Sequence, residues 1–143
     1  MDSPSTTSDR KRYSKPNNVL FVPVKTSKEF FRRWCEFLRP IIKLTDKELE
    51  VVASLLMHRY ELSKRISDPI ILDKVVMNDA TRDKVLKDCS ISLKYYYVIT
   101  SNLRKNKVLI KNTLNPRLIP NIKESEDGRF QLTVLFESFN KTA

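Results

Sequence analysis

Glycine is nearly absent from this sequence, and its scarcity excludes several classes of enzyme. The 143 residues include a single glycine, Gly128. Phosphate-binding loops, dinucleotide-binding fingerprints and nucleophile elbows each need several positions at which only a residue without a Cβ atom lets the backbone approach its ligand. We therefore expect none of these sites in the chain.

Histidine and cysteine are also scarce. The chain has one histidine, His58, and two cysteines, Cys35 and Cys89, which lie far apart and form no CxxC motif. This set cannot assemble a zinc site, and no Ser-His-Asp spacing is evident. We expect His58 on a helix surface and the two cysteines as buried free thiols. No catalytic residue, metal site or cofactor is predicted.

Long apolar runs are missing too. No stretch of the sequence approaches the length of a membrane span or of the apolar core of a signal peptide. We therefore expect a soluble, intracellular protein without a membrane partner. With 41% hydrophobic residues in 143, the chain can bury one core of ordinary size, so a single domain with tails is predicted.

Positive charge is what the sequence has in excess. It contains 27 basic and 17 acidic residues, for a net charge of +10, which attracts polyanions such as nucleic acid, an anionic membrane surface or an acidic protein. No acid lies between Asp88 and Glu124. That segment holds seven basic residues: Lys94, Arg104, Lys105, Lys107, Lys111, Arg117 and Lys123. Solvated surfaces normally mix both signs, so this segregation favours a binding surface for a polyanion.

The N-terminal residues predict an extended basic arm over 1–25. Residues 1–18 are rich in Ser, Thr, Pro and Asn, and such a segment cannot bury enough apolar surface to order itself. The apolar run at 19–24 is either an edge strand or an extended segment that packs on something else. The arm carries four basic residues that are candidate partner contacts: Arg10, Lys11, Arg12 and Lys15.

Two helix starts follow the arm. Thr26 and Glu29 have the spacing of a capping box and precede an aromatic helical face that ends at Pro40. This face is either core or a subunit contact, and Trp34 is its candidate partner-binding residue. The aromatic face of this first helix comprises Phe30, Phe31, Trp34, Phe37 and Leu38.

Thr45 and Glu48 form a second capping box. The helix that follows it continues with Leu49, Val52, Leu55, Leu56 and Arg59.

Further helix starts lie in the middle of the chain. Asp68-Pro69 marks one start, with Ile70, Ile71, Val75 and Val76 behind it. Asp79 is expected to cap a short helix, the polar residues 88–90 to break it, and Ser92 to cap a longer helix that reaches about Lys105. On this longer helix one face is predicted to enter the core through Tyr96, Ile99 and Leu103. The opposite face carries Lys94, Tyr95, Val98, Ser101, Asn102 and Lys105.

Residues 45–136 resemble winged helix-turn-helix DNA-binding domains. The resemblance rests on Ile91-Ser92 before the second helix, on its apolar face, and on the run RKNKVLI from Arg104. Asn106 stands where that family often has glycine, and it can adopt the same left-handed conformation; the turn DCS lacks the family's usual glycine. The resemblance implies a mostly α fold with a small β wing (α+β), a single winged-helix-like domain over 26–143. The helix-turn-helix is expected over about 79–105.

The wing is expected over about 108–136 as one small sheet of two or three strands. Residues 130–134 alternate apolar and polar side chains, and Asp127-Gly128 is typical of a hairpin turn. The resemblance implies a duplex DNA partner, because side chains on the second helix of such domains read bases while Lys and Arg contact phosphates. The predicted nucleic-acid-binding residues are Lys94, Tyr95, Ser101, Asn102, Arg104, Lys105, Lys107 and Lys111.

A second resemblance concerns residues 95–120. The segment YYYVITSNLRKNKVLIKNTLNPRLIP is similar to small proteins of crAss-like phages of gut Bacteroidales. It implies a tailed-phage setting and leaves two hypotheses open. In the first, the chain is a non-enzymatic virion component near the portal or neck, a homo-oligomer or a partner of neck proteins. In the second, it is a free transcription or replication regulator in the host cytoplasm.

Overall fold

Five α-helices, a short 3-10 turn and two small hairpins make up the part of the chain that the computed structural model describes, which is residues 20–124, 129–132, 134, 135 and 138. The helices are α1 (Ser27–Leu38), α2 (Asp46–Ser63), α3 (Pro69–Val76), α4 (Asp79–Cys89) and α5 (Leu93–Lys105). The strands are β1 (Leu109–Ile110), β2 (Thr113–Leu114), β3 (Lys123–Glu124) and β4 (Phe130–Gln131), with the 3-10 turn at Pro116–Leu118. The prediction of a mostly helical chain with small antiparallel strands is confirmed.

The helices begin where short polar side chains cap them. At α2 the predicted capping box is complete, because Thr45 Oγ1 accepts from the Glu48 amide at 3.2 Å and Glu48 Oε1 accepts from the Thr45 amide at 3.0 Å. At α1 only half of the box forms. Thr26 accepts from the Glu29 amide at 3.1 Å, whereas the Glu29 carboxylate accepts from the Lys25 amide at 2.9 Å.

The start of α4 differs by one residue from its prediction. Asn78, and not Asp79, is the capping residue, since its side-chain oxygen accepts from the Thr81 amide at 2.9 Å. The predictions for α3 and α5 are confirmed, because Asp68 accepts from the Ile70 amide and Ser92 from the Tyr95 amide. Asp79 is the first residue of α4, where a carboxylate favours the helix dipole.

Helix α2 is the centre of the core. It packs against α1, α3, α4 and α5, and six consecutive residues from Val51 to Leu56 are buried. The sequence predicts one apolar face for this helix, but Val51 and Ala53 on its other sides are buried as well. A helix that is apolar on all sides must be surrounded by other elements, so α2 is the scaffold on which the remaining helices are placed.

Only some of the apolar residues of α3 are buried. Ile70 and Ile71 are 69% and 51% exposed, and the side chains that enter the core are Leu72 and Val76. Leu72 and Val76 are four residues apart, so they lie above each other on a single face of this two-turn helix. The other contacts of α3 are to α4 and to β2.

Helices α4 and α5 are joined by three residues, as predicted for residues 79–105. Helix α4 continues to Cys89, so the chain turns at Ser90, two residues beyond Asp88, and Ser90 adopts φ 54°. The Ile91 amide donates to the Leu86 carbonyl at 3.1 Å, which is the hydrogen bond of a Schellman motif around a left-handed residue. This turn fixes the direction in which α5 leaves α4.

The strands form two separate two-stranded sheets and not the one small sheet that the sequence predicts. Strand β1 pairs with β2 through a two-residue turn at Lys111 and Asn112, whose φ angles of 53° and 62° are typical of a type I′ hairpin. We call this β1–β2 unit hairpin 1. Asn106 was expected to be left-handed, but its φ is −88° and Lys107 takes that conformation at 63°.

Strands β3 and β4 form a second antiparallel pair, hairpin 2, with Glu124 opposite Phe130. The predicted turn Asp127-Gly128 lies outside the described residues. Phe130 contacts Phe30 and Tyr60 at ring-centroid distances of 4.9 and 5.8 Å, and Tyr60 Oη donates to Glu124 at 2.6 Å. Hairpin 2 is therefore attached to α1 and α2.

Candidate nucleic-acid interface

Helix α5 presents one buried face and one solvent face. The prediction that Tyr96, Ile99 and Leu103 enter the core is confirmed, and Thr100 is buried with them. At 3.6 residues per turn, the line directly opposite this core face contains Lys94, Val98, Ser101 and Lys105. We call these four residues the outer face of α5. Three of them are predicted nucleic-acid contacts, and the structure brings them onto one line.

The flanks of the outer face carry the other predicted helix residues. Tyr95 and Asn102 lie on one flank, and Arg104 lies on the opposite flank together with Tyr97. Tyr95 is 43% exposed, so it lies on the solvent side of the helix, as predicted. Tyr97 Oη accepts from Arg82 of α4 at 3.2 Å, so the third tyrosine connects the two helices. The predicted contacts therefore occupy three sides of α5.

The seven basic residues between Asp88 and Glu124 are all exposed, and none forms an ion pair with another residue of the described part of the chain. Elsewhere in the described chain some cations are ion-paired and others are not. Arg33 pairs with Glu29 and Glu36, and Arg82 pairs with Asp79 and Asp83. Residues 94–123 differ from the rest of the chain because they contain no acidic residue at all, so the positive charge of α5 and of the segment after it is available to an external anion.

Three of these cations lie in or next to hairpin 1, near the end of α5. Arg104 Nε donates to Asn112 Oδ1 at 3.1 Å, which links α5 to the hairpin turn. Asn115 Nδ2 donates to the Lys107 carbonyl at 3.0 Å and fixes the connection between helix and hairpin. Lys111 lies in the turn itself. Arg104, Lys107 and Lys111 are therefore positioned by hydrogen bonds of the backbone and of two asparagines.

A groove on the other flank of α5 was not predicted from the sequence. It has a volume of about 590 Å³ and is lined by Arg39, Lys43, Leu44, Thr45, Glu48, Asn102, Lys105 and Asn106. It brings Lys105 and Asn102 of α5 together with Arg39 and Lys43 from the connection between α1 and α2. Arg39 and Lys43 are about 60 positions away in the chain, so no local pattern could indicate their proximity.

The predicted partner-binding residues divide into two groups. Arg10, Lys11, Arg12 and Lys15 lie outside the described residues. Trp34 is half-buried, and its Nε1 donates to the Leu118 carbonyl at 2.9 Å, so it attaches α1 to the 3-10 turn. Its ring stacks on Phe37 at a centroid distance of 5.8 Å, and Phe37 is exposed. The aromatic face of α1 is thus core at Phe31 and Leu38 and open to solvent at Phe37.

A polar cluster joins α2 to α4. Asp88 Oδ2 accepts from Ser54 Oγ at 2.9 Å and lies 2.8 Å from His58 Nε2. His58 is largely buried, contrary to its predicted surface position. Because Ser54 donates to the carboxylate and not to the imidazole, this arrangement differs from a Ser-His-Asp relay. A pocket of about 260 Å³ adjoins the cluster at Ser54, Asp88 and Cys89.

The two cysteines are free and buried, as predicted. Burial raises the pKa of Cys35 to about 12 and the pKa of Cys89 to about 11. A thiol with a raised pKa is a poor nucleophile at neutral pH. Within the described part of the chain no group of three or more His, Cys, Asp or Glu residues is close enough to hold a metal ion.

No described helix is long and apolar enough to cross a membrane. Comparisons of the chain with protein-family models, with curated protein sequences and with solved structures found no match. Interpretation of the site therefore depends on its own residues and geometry.

Proposed function

We propose that this chain is a non-enzymatic protein that binds duplex DNA through α5 and hairpin 1, in a winged-helix-like arrangement. The observation that carries the proposal is the set of seven exposed basic residues without an internal acidic partner in the described chain. Phosphate contacts dominate the affinity of proteins for duplex DNA, and unneutralised lysines and arginines are the groups that make them. The order of α4, short turn, α5 and hairpin 1 supports the proposal, because a winged helix also places a hairpin directly after its second helix.

The binding mode is mainly contact with the DNA backbone. The outer face of α5 holds two lysines, one serine and one valine, and Arg104, Lys107 and Lys111 extend the charge to hairpin 1. Such cations position a protein on DNA without reading its sequence. Because residues 95–120 are similar to small proteins of crAss-like phages, we propose that the chain associates with packaged DNA in a tailed-phage virion, near the portal or neck, as one subunit of an assembly.

A free regulator is the second candidate, and one observation favours it. Ser101 and Asn102 lie on and beside the outer face of α5, and asparagine can form paired hydrogen bonds with adenine in the major groove. A regulator uses such contacts to prefer one sequence. Mass spectrometry of purified phage particles separates the two candidates, because a virion component is present there in stoichiometric amounts and a regulator is absent.

The DNA-binding proposal is tested by Arg104→Ala, Lys105→Ala and Lys107→Ala together. We expect weaker binding to duplexes of any sequence. The plot of log K against log salt should flatten by about 0.9 for each phosphate contact that is lost. The free energy of unfolding should change little, because all three side chains are exposed.

The matched control is Arg32→Ala, Arg33→Ala and Lys64→Ala, which removes the same net charge from cations that are ion-paired within the protein. We expect this control to keep the wild-type salt slope. Equal losses in the two triple variants would show that net charge alone governs binding. Wild-type binding by the first variant across the whole salt titration would exclude a DNA interface on α5 and favour an acidic protein partner.

A further inference from the structure

The groove between α5 and the α1–α2 connection has the chemistry of a phosphate site. Three cations line it: Arg39, Lys43 and Lys105. The one acidic residue in its lining is Glu48, which is buried and accepts the amide hydrogen of Thr45. The groove therefore carries a net positive charge, and its acid is already engaged within the capping box of α2.

The cations of the groove differ in how far they are neutralised. Arg39 donates to Asp46 at 2.6 Å and to the Leu44 carbonyl at 3.1 Å, so its guanidinium is held in place. Lys43 and Lys105 are exposed and have no acidic partner among the described residues. The side-chain amides of Asn102 and Asn106 likewise make no hydrogen bond to another described residue. Two free ammonium groups and two free amides thus surround the same space.

The groove and hairpin 1 lie on opposite flanks of α5. Asn102, which lines the groove, and Arg104, which contacts the hairpin turn, are separated by roughly 160° around the helix axis. Cations therefore stand on both sides of the outer face. A helix with its side chains is about 10–12 Å wide, and the major groove of B-DNA is about 12 Å wide between two phosphate strands.

We propose that this groove binds the phosphate backbone of one DNA strand while hairpin 1 contacts the other strand, so that Lys43 is a DNA-contacting residue. The inference rests on the proposed function and adds to it a second phosphate contact, supplied by the α1–α2 connection. Lys105 belongs both to the outer face of α5 and to the groove lining, so a strand that follows the helix passes directly over the groove.

The test is Lys43→Ala, measured by duplex binding over a salt titration. Loss of one phosphate contact should lower the salt slope by about 0.9 and weaken binding roughly fivefold at 0.15 M salt. Lys64→Ala is the control, since Lys64 is exposed at the other end of α2, about 28 Å from Thr45 along the helix. Lys43→Ala combined with Lys107→Ala should lower the slope by about 1.8, because two phosphate contacts are then lost.

The outcomes separate this inference from the function on which it rests. If Lys43→Ala binds like wild type while Lys107→Ala is weakened, DNA binding stands and the groove is not part of it. If the wild-type protein binds no duplex, the proposed DNA-binding function is wrong, and the inference about the groove is wrong with it. Titration with inorganic phosphate tests the alternative that the groove binds free phosphate and not the phosphates of DNA. Should it shift the NMR amide signals of Asn102 and Asn106 when duplex DNA does not, the groove is a site for free phosphate and the inference is overturned.

Discussion

At the scale of single residues, the scarcity of glycine has a structural cost. Four non-glycine residues in the described chain have positive φ: Ser90, Lys107, Lys111 and Asn112. Asparagine tolerates this conformation, but other residues with a Cβ atom lose about 1–2 kcal/mol in it. Two of the four are lysines that were predicted to bind nucleic acid. A functional role for the charge at Lys107 is tested by the alanine variants proposed above.

Ser90 allows the cost to be measured without altering the interface charge. Ser90→Gly should raise the free energy of unfolding by about 0.5–1 kcal/mol, because relief of the left-handed strain exceeds the entropy that glycine adds to the unfolded chain. Urea unfolding monitored by circular dichroism gives the value. Ser67→Gly is the matched control and should destabilise slightly, since Ser67 is an exposed loop residue without positive φ. A destabilised Ser90→Gly variant would contradict the strain argument.

At the scale of elements, hairpin 2 is attached to the helices by the hydrogen bond from Tyr60 to Glu124 and by the contacts of Phe130 with Phe30 and Tyr60. Tyr60→Phe keeps the ring against Phe130 and removes only the bond to Glu124. We expect a loss of about 0.5–1.5 kcal/mol that is confined to hairpin 2. Amide hydrogen exchange should become faster at Gln131 and stay unchanged in α5. Faster exchange throughout the protein would show that the bond supports the whole core and not one hairpin.

Tyr60 should also make the free energy of unfolding depend on pH, with a loss of stability at high pH. Burial and the hydrogen bond to Glu124 raise the pKa of Tyr60 from its ordinary value of 10 to about 12. The unfolded chain therefore loses this proton two pH units before the folded chain does. The stability from Tyr60 is complete below pH 10 and is lost as the pH rises towards 12. In a tyrosinate absorbance titration, Tyr60→Phe should remove a component that titrates late.

Features that depend on neighbouring residues, such as helix caps, were predicted well from the sequence. Contacts between residues that are distant in the chain were missed. Caps such as Thr45 and Ser92 were identified because a capping hydrogen bond spans only three residues. Hairpin 1 was missed because its turn is Lys111-Asn112, without the glycine that usually marks a type I′ turn. The groove was missed because Lys43 and Lys105 meet only through the packing of α2 against α5, a contact that no periodicity in the sequence reports.

At the scale of the whole molecule, charge is divided between two regions. Around α1 and α2, acids and bases alternate and form ion pairs such as Arg39 with Asp46 and Lys47 with Glu50. From Lys94 to Lys123 the described chain is basic without internal compensation. A net charge of +10 opposes compaction through self-repulsion. The core built around α2 must therefore supply the stability, while the second region remains available for binding.

The N-terminal arm is predicted to belong to the basic, DNA-binding region and not to the core. Its deletion tests whether DNA binding and stability depend on different parts of the chain. Removal of residues 1–18 takes away Arg10, Lys11, Arg12 and Lys15 and almost no apolar surface. We expect an unchanged unfolding midpoint, since a segment of this composition contributes little to a core, together with weaker DNA binding and a smaller salt slope.

A full-length variant with serine at those four basic positions separates charge from length. If the arm acts through phosphate contacts, this variant should reproduce the DNA-binding defect of the deletion. If only the deletion is defective, the arm acts through contacts with a neighbouring subunit, and sedimentation of the two variants should show weaker self-association for the deletion alone. A large loss of stability on deletion would mean that the arm packs into the core, and the predicted boundary of the domain at residue 26 would then be wrong.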